Sequence, residues 1–206
     1  MPNQLEIKCL PVGELGTNCY LVFDRLTREG IIVDPGDAAD YIADVIRDLQ
    51  VQPLQVLATH GHFDHILAAF ELQQAYKIPF LISAKDVFLV DRMQDSAKFF
   101  LKISIPQMPP KIDAFVKEGD RVNFGRLSLK VFETPGHTPG SVCFYHEDSK
   151  TMFTGDTLFK SAVGRTDFSY GSSKNLQDSL QRLKHYPGKT QVYPGHGEAT
   201  SLGEEL

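Results

Sequence analysis

Strands precede helices in this chain, and that order runs through twice. In the first half, short apolar runs at 5–10, 19–23 and 31–33 are separated by turn signals at Gly13, at Gly16-Thr17-Asn18 and at Arg28-Glu29-Gly30. Runs of that length, bounded by glycine and polar residues, read as strands. Tyr41, Ile42, Val45, Ile46 and Leu49 then recur at helical spacing, and Pro53 bounds the helix they define. A buried strand at 54–58, a helix carrying Ile66, Leu67, Phe70 and Leu72, a strand at 80–82 and a helix over 85–102 complete the first pass. Pro106, Pro109 and Pro110 break the chain near its middle. The second pass gives strands at 121–124, 127–132, 142–146 and 151–154, a helix on Leu176, Leu180 and Leu183, and a last strand at 191–193. This order predicts an α/β fold of two sheets packed face to face with helices outside. The expected organisation is one domain over residues 1–206, made of two halves with a seam near 104–112.

Composition narrows the class. With 206 residues, 42% hydrophobic and 23% charged, the chain is globular, which excludes disordered, collagen-like and coiled-coil readings. Its net charge of −5 gives no electrostatic reason to seek nucleic acid or an anionic membrane. No apolar run approaches the roughly 20 residues of a membrane span, and Met1-Pro2-Asn3-Gln4-Leu5-Glu6 lacks the basic, then apolar pattern of a signal peptide. Cys9, Cys19 and Cys143 are odd in number and widely spaced, so they read as reduced thiols. A cytoplasmic location is expected.

The segment richest in chemistry is His60-Gly61-His62-Phe63-Asp64-His65. It leaves the end of the buried strand at 54–58, at the sheet edge where α/β folds place their chemistry. Side chains two apart in an extended loop point the same way, so His60 and His62 can grip one cation. Asp64 and His65 are turned away by the start of the next helix and can grip another. Two cations side by side need a shared ligand, and a carboxylate is the side chain with two oxygens to share. Three more candidates stand in loops after strands: His137 within Pro135-Gly136-His137-Thr138-Pro139-Gly140, Asp156 within Thr154-Gly155-Asp156-Thr157, and His196 within Pro194-Gly195-His196-Gly197. Glycine beside a ligand permits close backbone approach or positive φ. His146 and His185 lie outside these loops and read as ordinary core or surface histidines.

Four motifs in order carry a family resemblance: T-H-G-H-F-D-H at 59–65, P-G-H-T-P-G-S at 135–141, G-D-T-L-F at 155–159 and Y-P-G-H-G at 193–197. The sequence resembles the metallo-β-lactamase superfamily of metallo-hydrolases over nearly its whole length. The resemblance implies a four-layer αβ/βα sandwich with a metal site at the edge between the halves. It implies two divalent metals, one on His60, His62 and His137, the second on Asp64, His65 and His196, with Asp156 bridging. Zinc is the expected metal, with iron and manganese as alternatives. The G-D-T-L-F motif followed by V-G-R-T-D at 163–167 is similar to the hydroxyacylglutathione hydrolase (glyoxalase II) group, in its short single-domain bacterial branch. Two features depart from that group. Ten residues follow His196, where longer members carry a helical domain that supplies much of the glutathione contact, and Gly171 is followed by Ser172 where the branch carries Gly-Gly. Both bear on the thiol carrier more than on the chemistry.

A dinuclear centre of this kind clamps a hydroxide and lowers its pKa toward about 7. That hydroxide is the expected nucleophile, so no activated serine or cysteine is required, and Asp64 and Asp156 are the expected catalytic carboxylates. A thiolate, whose conjugate acid has a pKa near about 8.5, departs with little help; an amine or alkoxide needs a proton. The motif loops offer no dedicated proton donor except Glu198, which reads more simply as a helix-start residue. The expected reaction is therefore hydrolysis of a small-molecule acyl thioester of the S-lactoylglutathione type. Arg165 is the first candidate for binding tail carboxylates and Lys160 the second, while Arg165 reads equally well as a partner of Asp167. Asp34 either orients a ligand histidine or caps a turn, and Thr138 caps the turn after His137.

Other functions compete for the same residues. A persulfide dioxygenase would hold one iron on His60, His137 and Asp156, since two histidines and a carboxylate suit non-haem iron and O₂. Thr157-Leu158-Phe159 fits the hydrolase pattern better. A phosphodiesterase, ribonuclease or β-lactam hydrolase would use the same site, but the acidic balance argues against nucleic acid. A metal-storing or scaffolding protein has no need of every ligand, and the flavin-coupled di-iron oxidases carry Glu where this chain has His62.

Overall fold

The strands at the centre of the molecule are buried on both faces, and their alternate residues serve two different cores. In the computed structural model, which describes residues 4–102 and 104–206, β1 (Leu5–Val12), β2 (Thr17–Asp24), β3 (Glu29–Val33), β4 (Gln52–Leu57), β5 (Phe80–Ile82) and β6 (Ile112–Phe115) form a six-stranded sheet in sequence order. Met1, Pro2 and Asn3, part of the stretch read for a signal peptide, lie outside the described residues. A second sheet begins with β7 (Arg121–Phe124), β8 (Leu127–Glu133), β9 (Val142–His146) and β10 (Thr151–Gly155). After a small hairpin of β11 (Leu158–Phe159) and β12 (Ala162–Val163), it is completed by β13 (Gln191–Pro194) and β14 (Thr200–Ser201). Its order is β14-β13-β10-β9-β8-β7.

Three apolar interfaces separate four layers. Cys19, Leu21 and Phe23 of β2 join Ile42 and Ile46 of α1 (Ala39–Asp48), Ile66 of α2 (Phe63–Ile66) and Leu72 of α3 (Ala69–Tyr76) in an outer core. Tyr20 and Val22, one residue out of phase, pack instead against Phe124, Val131, Phe144 and Phe153 of the other sheet. In β9, Val142 and Phe144 face that central core, while Cys143 and Tyr145 face a third with Leu183 of α6 (Ser173–Leu183) and Leu202 of α7 (Leu202–Glu205). Full burial of each such aliphatic or aromatic side chain stabilises the fold by about 1.5–3 kcal/mol. Helices, sheet, sheet and helices thus make the αβ/βα sandwich that the element order predicts.

Two helices differ from expectation. The helix expected over 85–102 is a 3₁₀ turn (Ala84–Asp86) followed by α4 (Val87–Asp91) and α5 (Met93–Leu101). Asp86 (φ −109°, ψ 10°) ends the 3₁₀ turn with its carboxylate accepting from three donors, and Arg92 (φ −98°, ψ 10°) separates the last two pieces. The helix after His65 is divided into α2 and α3, where the Ala68 N–H donates to Pro35 O rather than along the helical ladder. β6 follows the proline-rich stretch as an edge strand parallel to β5, and the chain passes to the second sheet between β6 and β7.

The sheets are tied together at one edge. Asn18 donates from its backbone to Gly195 O (2.7 Å) and from its side chain to Pro194 O (3.0 Å) and Gly197 O (2.9 Å). The Tyr20 hydroxyl donates to Pro194 O at 2.6 Å, and Val142 N–H to Thr59 O at 2.9 Å. Among the described residues, no helix is long and apolar enough to cross a membrane, and the three cysteines are free thiols.

Candidate metal centre

Strand ends deliver the donors to this tied edge. His60 follows β4, His62 stands at the N-cap of α2, and Asp64 and His65 lie in its single turn. His137 comes from the β8–β9 loop, Asp156 directly follows β10, and His196 follows β13. Gly155 makes the turn into Asp156 at φ 48°, a conformation that side-chain-bearing residues rarely adopt.

The seven side chains meet in two groups. His60 Nε2 and His137 Nε2 lie 3.0 and 2.9 Å from His62 Nδ1, and the three rings are mutually near-perpendicular at 83°, 80° and 84°. Asp64 Oδ2 lies 3.6 Å from His65 Nε2 and 3.4 Å from His196 Nε2. Asp156 stands between them: Oδ2 is 3.5 Å from His137 Nε2, while Oδ1 is 3.4 Å from His65 Nε2 and 3.8 Å from His196 Nε2. In each of the sets His60–His62–His137, Asp64–His65–His196 and His60–His65–Asp156, all donor atoms fall within 4.8 Å of one another.

The outer nitrogens explain what the inner ones offer. The carbonyls of Arg165 and Leu15 accept from Nδ1 of His137 (2.8 Å) and His196 (3.1 Å). A carbonyl can only accept, so these nitrogens carry the hydrogen and Nε2 presents a lone pair. Asp34 Oδ2 accepts from His65 Nδ1 (3.0 Å) and from the Thr59 hydroxyl (2.7 Å), which leaves Thr59 Oγ1 to accept from His60 Nδ1 (3.1 Å). Tyr170 Oη lies 2.8 Å from His62 Nε2. Lone pairs therefore converge on the centre, an arrangement that calls for a cation. Two buried atoms there, His65 Nε2 and Asp156 Oδ1, have no hydrogen-bond partner, a costly state that metal ligation relieves. A Cβ at Gly195 would sit 2.3 Å from Asp156 Oδ1 and 2.8 Å from His65 Cε1, so glycine alone lets the loop close over the centre. Imidazole and carboxylate donors in this number suit divalent transition metals.

Electrostatics agree. Burial, then the neighbouring imidazoles, keep His60 well below the usual histidine range, and burial followed by His137 pushes His62 down to about 3. Both are neutral, as ligation requires. Burial would lower His65 as well, but Asp64, Asp156 and Asp34 outweigh it and hold it up at about 10. Burial would raise Asp64, but His65 and His196 hold it below the usual carboxylate range. Without a metal, a second proton on His65 supplies the positive charge these carboxylates demand; a bound cation would replace that proton and leave Nε2 as a lone pair.

The remaining site candidates stand further out. The Arg165 guanidinium makes two 2.7 Å bonds to Asp167 and lies 4.4 Å over the Phe168 ring, so only its carbonyl touches the seven-residue set. Lys160 pairs with Glu198 on the surface. Glu198 begins no helix: α7 starts at Leu202, where Ser201 and Glu204 form the capping box. The Thr138 hydroxyl donates to Asp86 Oδ2 at 2.7 Å. His146 is buried against Ser149, and His185 is exposed. The sequence pattern gave no signal for Asp86, nor for Phe168 and Tyr170, which form an aromatic wall beside His62 with Phe88 and Phe100 of the aromatic-rich stretch over 85–102. Phe168-Ser169-Tyr170, directly after the V-G-R-T-D motif, is where such a wall was legible.

Two groups of side chains suited to holding a metal, with one carboxylate standing between them at the edge of a four-layer sandwich, fit the metallo-hydrolase class. The chain belongs to the metallo-β-lactamase superfamily, whose family profile matches residues 12–196. It is 33% identical over 210 residues to a protein of Haemophilus influenzae named hydroxyacylglutathione hydrolase GloC, covering 98% of this chain and 95% of that one. It is 33% identical over 182 residues to the mitochondrial persulfide dioxygenase ETHE1 of Mus musculus, covering 87% and 63%. Among solved structures, the BLEG-1 B3 metallo-β-lactamase superposes with a TM-score of 0.89 at 31% identity, covering 97% and 95%. TTHA1623 in a di-iron-bound form superposes at 0.87 with 34% identity, covering 96% of each chain.

Proposed function

We propose that this protein is a metal-dependent hydrolase of acyl thioesters, of the S-lactoylglutathione type. The observation that carries the reading is Asp156, whose two oxygens face one donor group each. His60, His62 and His137 would hold one divalent cation, Asp64, His65 and His196 the other, and Asp156 both. Zinc is the first choice, and the di-iron form of TTHA1623 supports iron as the alternative. When bound, such a pair polarises a carbonyl and brings the ionisation of water toward neutral pH.

The chain's own groups decide the leaving group. Arg165 O, Leu15 O and Asp34 keep the hydrogens of His137, His196 and His65 on their outer nitrogens, away from the centre. Glu198 is engaged by Lys160 and exposed. With no such group offering a proton at the centre, a leaving group must depart unprotonated, which favours a thiolate over an amine or alkoxide. The GloC relative supports the same substrate class. A small, free thioester of the cytoplasm is the substrate we assign, and the free cysteines suit that reducing compartment.

A second reading rests on the equal identity to ETHE1, with one iron on His60, His137 and Asp156. Purified protein assayed for S-lactoylglutathione hydrolysis and for O₂ uptake on glutathione persulfide separates the two. Metal-dependent thioester loss without O₂ uptake is expected. O₂ consumption with one iron per chain and no thioester loss overturns the hydrolase, and turnover of a β-lactam or RNA alone overturns both.

A further inference from the structure

Asp86 is fully buried, yet its partners are neutral donors. Oδ2 accepts from the Gly61 N–H (2.9 Å) and the Thr138 hydroxyl (2.7 Å), and Oδ1 accepts from the Gly140 N–H (2.7 Å). Gly61 separates His60 from His62, and Thr138 follows His137. One carboxylate therefore bonds both loops that supply the three-histidine group, one loop from each sheet. Ser141 reinforces it: its oxygen accepts from the Thr138 N–H (3.1 Å), and its hydroxyl lies 2.8 Å from Thr138 Oγ1.

Two motif glycines fit this carboxylate. A Cβ at Gly140 would lie 2.5 Å from Asp86 Oδ1, and one at Gly61 would lie 2.9 Å from Asp86 O and 2.8 Å from Leu89 Cβ. Neither glycine has positive φ. Their role is close approach, and what they approach is the 3₁₀ turn that carries Asp86. The other donor group is supported without Asp86, by Thr17 Oγ1 on Asp64 Oδ2 (3.1 Å), by Asp34 on His65 (Asp34 also reaches His60 through Thr59), and by Leu15 O on His196.

We infer that Asp86 is a positioning residue, which sets His60 and His62 against His137 and thereby governs metal occupancy at that group and not at its neighbour. The inference rests on the dinuclear reading above. In Asp86→Asn the amide nitrogen must face the N–H of either Gly61 or Gly140, donor against donor, so one loop is released.

The test is a zinc titration of metal-stripped protein against a chromophoric chelator, with a thermal melt of each stripped variant alongside. Wild type should take up two equivalents. Asp86→Asn should bind one as wild type does and the other 10–100-fold more weakly, the range typical when an outer partner of a ligand is lost. Gly140→Ala, which displaces Oδ1, and the milder Thr138→Val, which deletes one donor, should weaken the same equivalent. A purely structural Asp86 would lower the melts and leave the two affinities moving together. Equal weakening of both equivalents, or unchanged affinity in all three variants, overturns the inference. Should wild type take up only one equivalent, the dinuclear reading fails, and unchanged affinity for that one in the variants overturns the role of Asp86 separately.

Discussion

Asp34 Oδ2 lies 3.0 Å from His65 Nδ1, with both side chains buried, and the same oxygen receives the Thr59 hydroxyl. This fixes which face of two imidazoles carries hydrogen. In Asp34→Asn the amide oxygen must keep the Thr59 N–H now held at 2.7 Å, which turns the NH₂ toward Thr59 Oγ1 and His65. His65 Nδ1 then becomes an acceptor, and the Thr59 hydroxyl donates to His60. Both rings shift their hydrogen to Nε2, where a lone pair is needed. Asp34→Asn should therefore lower metal affinity 10–100-fold, measured by chelator competition; unchanged affinity would refute the tautomer assignment.

Asp156→Ala should cost more activity than His196→Ala. Asp156 faces both donor groups, whereas His196 completes one and its side chain is 28% exposed. The variants should retain fewer than two and about one metal equivalents respectively, by elemental analysis. Equal activity losses with two metals bound in each would count against a shared carboxylate.

Metal-stripped protein should be most stable near pH 6.5. His60 and His62 have folded pKa values depressed below the ordinary 6.5, the latter to about 3. As pH falls below 6.5, the unfolded chain takes up protons that the folded chain refuses, and stability declines. His65 is raised to about 10, so its contribution is complete below pH 6.5 and is lost as pH climbs through 10. Urea melts of stripped protein from pH 5 to 9 should peak between these limits. A stability that rises steadily to pH 9 would show that the carboxylates do not retain the His65 proton.

Arg165→Ala should leave KM for S-lactoylglutathione within about threefold, because the guanidinium is already occupied by Asp167 and Phe168. That pair is exposed, at 56% and 66%, and surface pairs contribute about 0–1 kcal/mol. The thermal midpoint should fall by no more than roughly 4 °C. A tenfold rise in KM would return Arg165 to the substrate's tail.

The candidate ligands, which the structure brings together, were legible because metal chemistry restricts both residue type and spacing. His60, His62, Asp64 and His65 declare themselves within six positions, and strand ends marked by glycine located His137, Asp156 and His196. Asp86 was not, since a lone aspartate in an apolar, helix-period stretch looks like a solvent-facing residue until the loops it receives are in place. β6 was missed for a related reason. As an edge strand paired on one side, with Asp113, Ala114 and Phe115 exposed, it shows no inside–outside alternation. The interruption at Ala68 depends on a carbonyl 33 residues upstream, at Pro35, which no local pattern encodes.

The donors are divided between the two sheets: His60, His62, Asp64 and His65 follow β4, while His137, Asp156 and His196 come from the other side. A cation bound there is shared by the native chain and unavailable to the unfolded one, so folding and metal supply become one equilibrium. Free metal at 100 times its dissociation constant adds about 2.7 kcal/mol to stability, a large fraction of what a domain this size possesses. Loss of that increment raises the share of opened chain, in which the aromatic interior of Tyr20, Phe144 and Phe153 comes within reach of proteases. The lifetime of this protein in the cell would then track the availability of its metal.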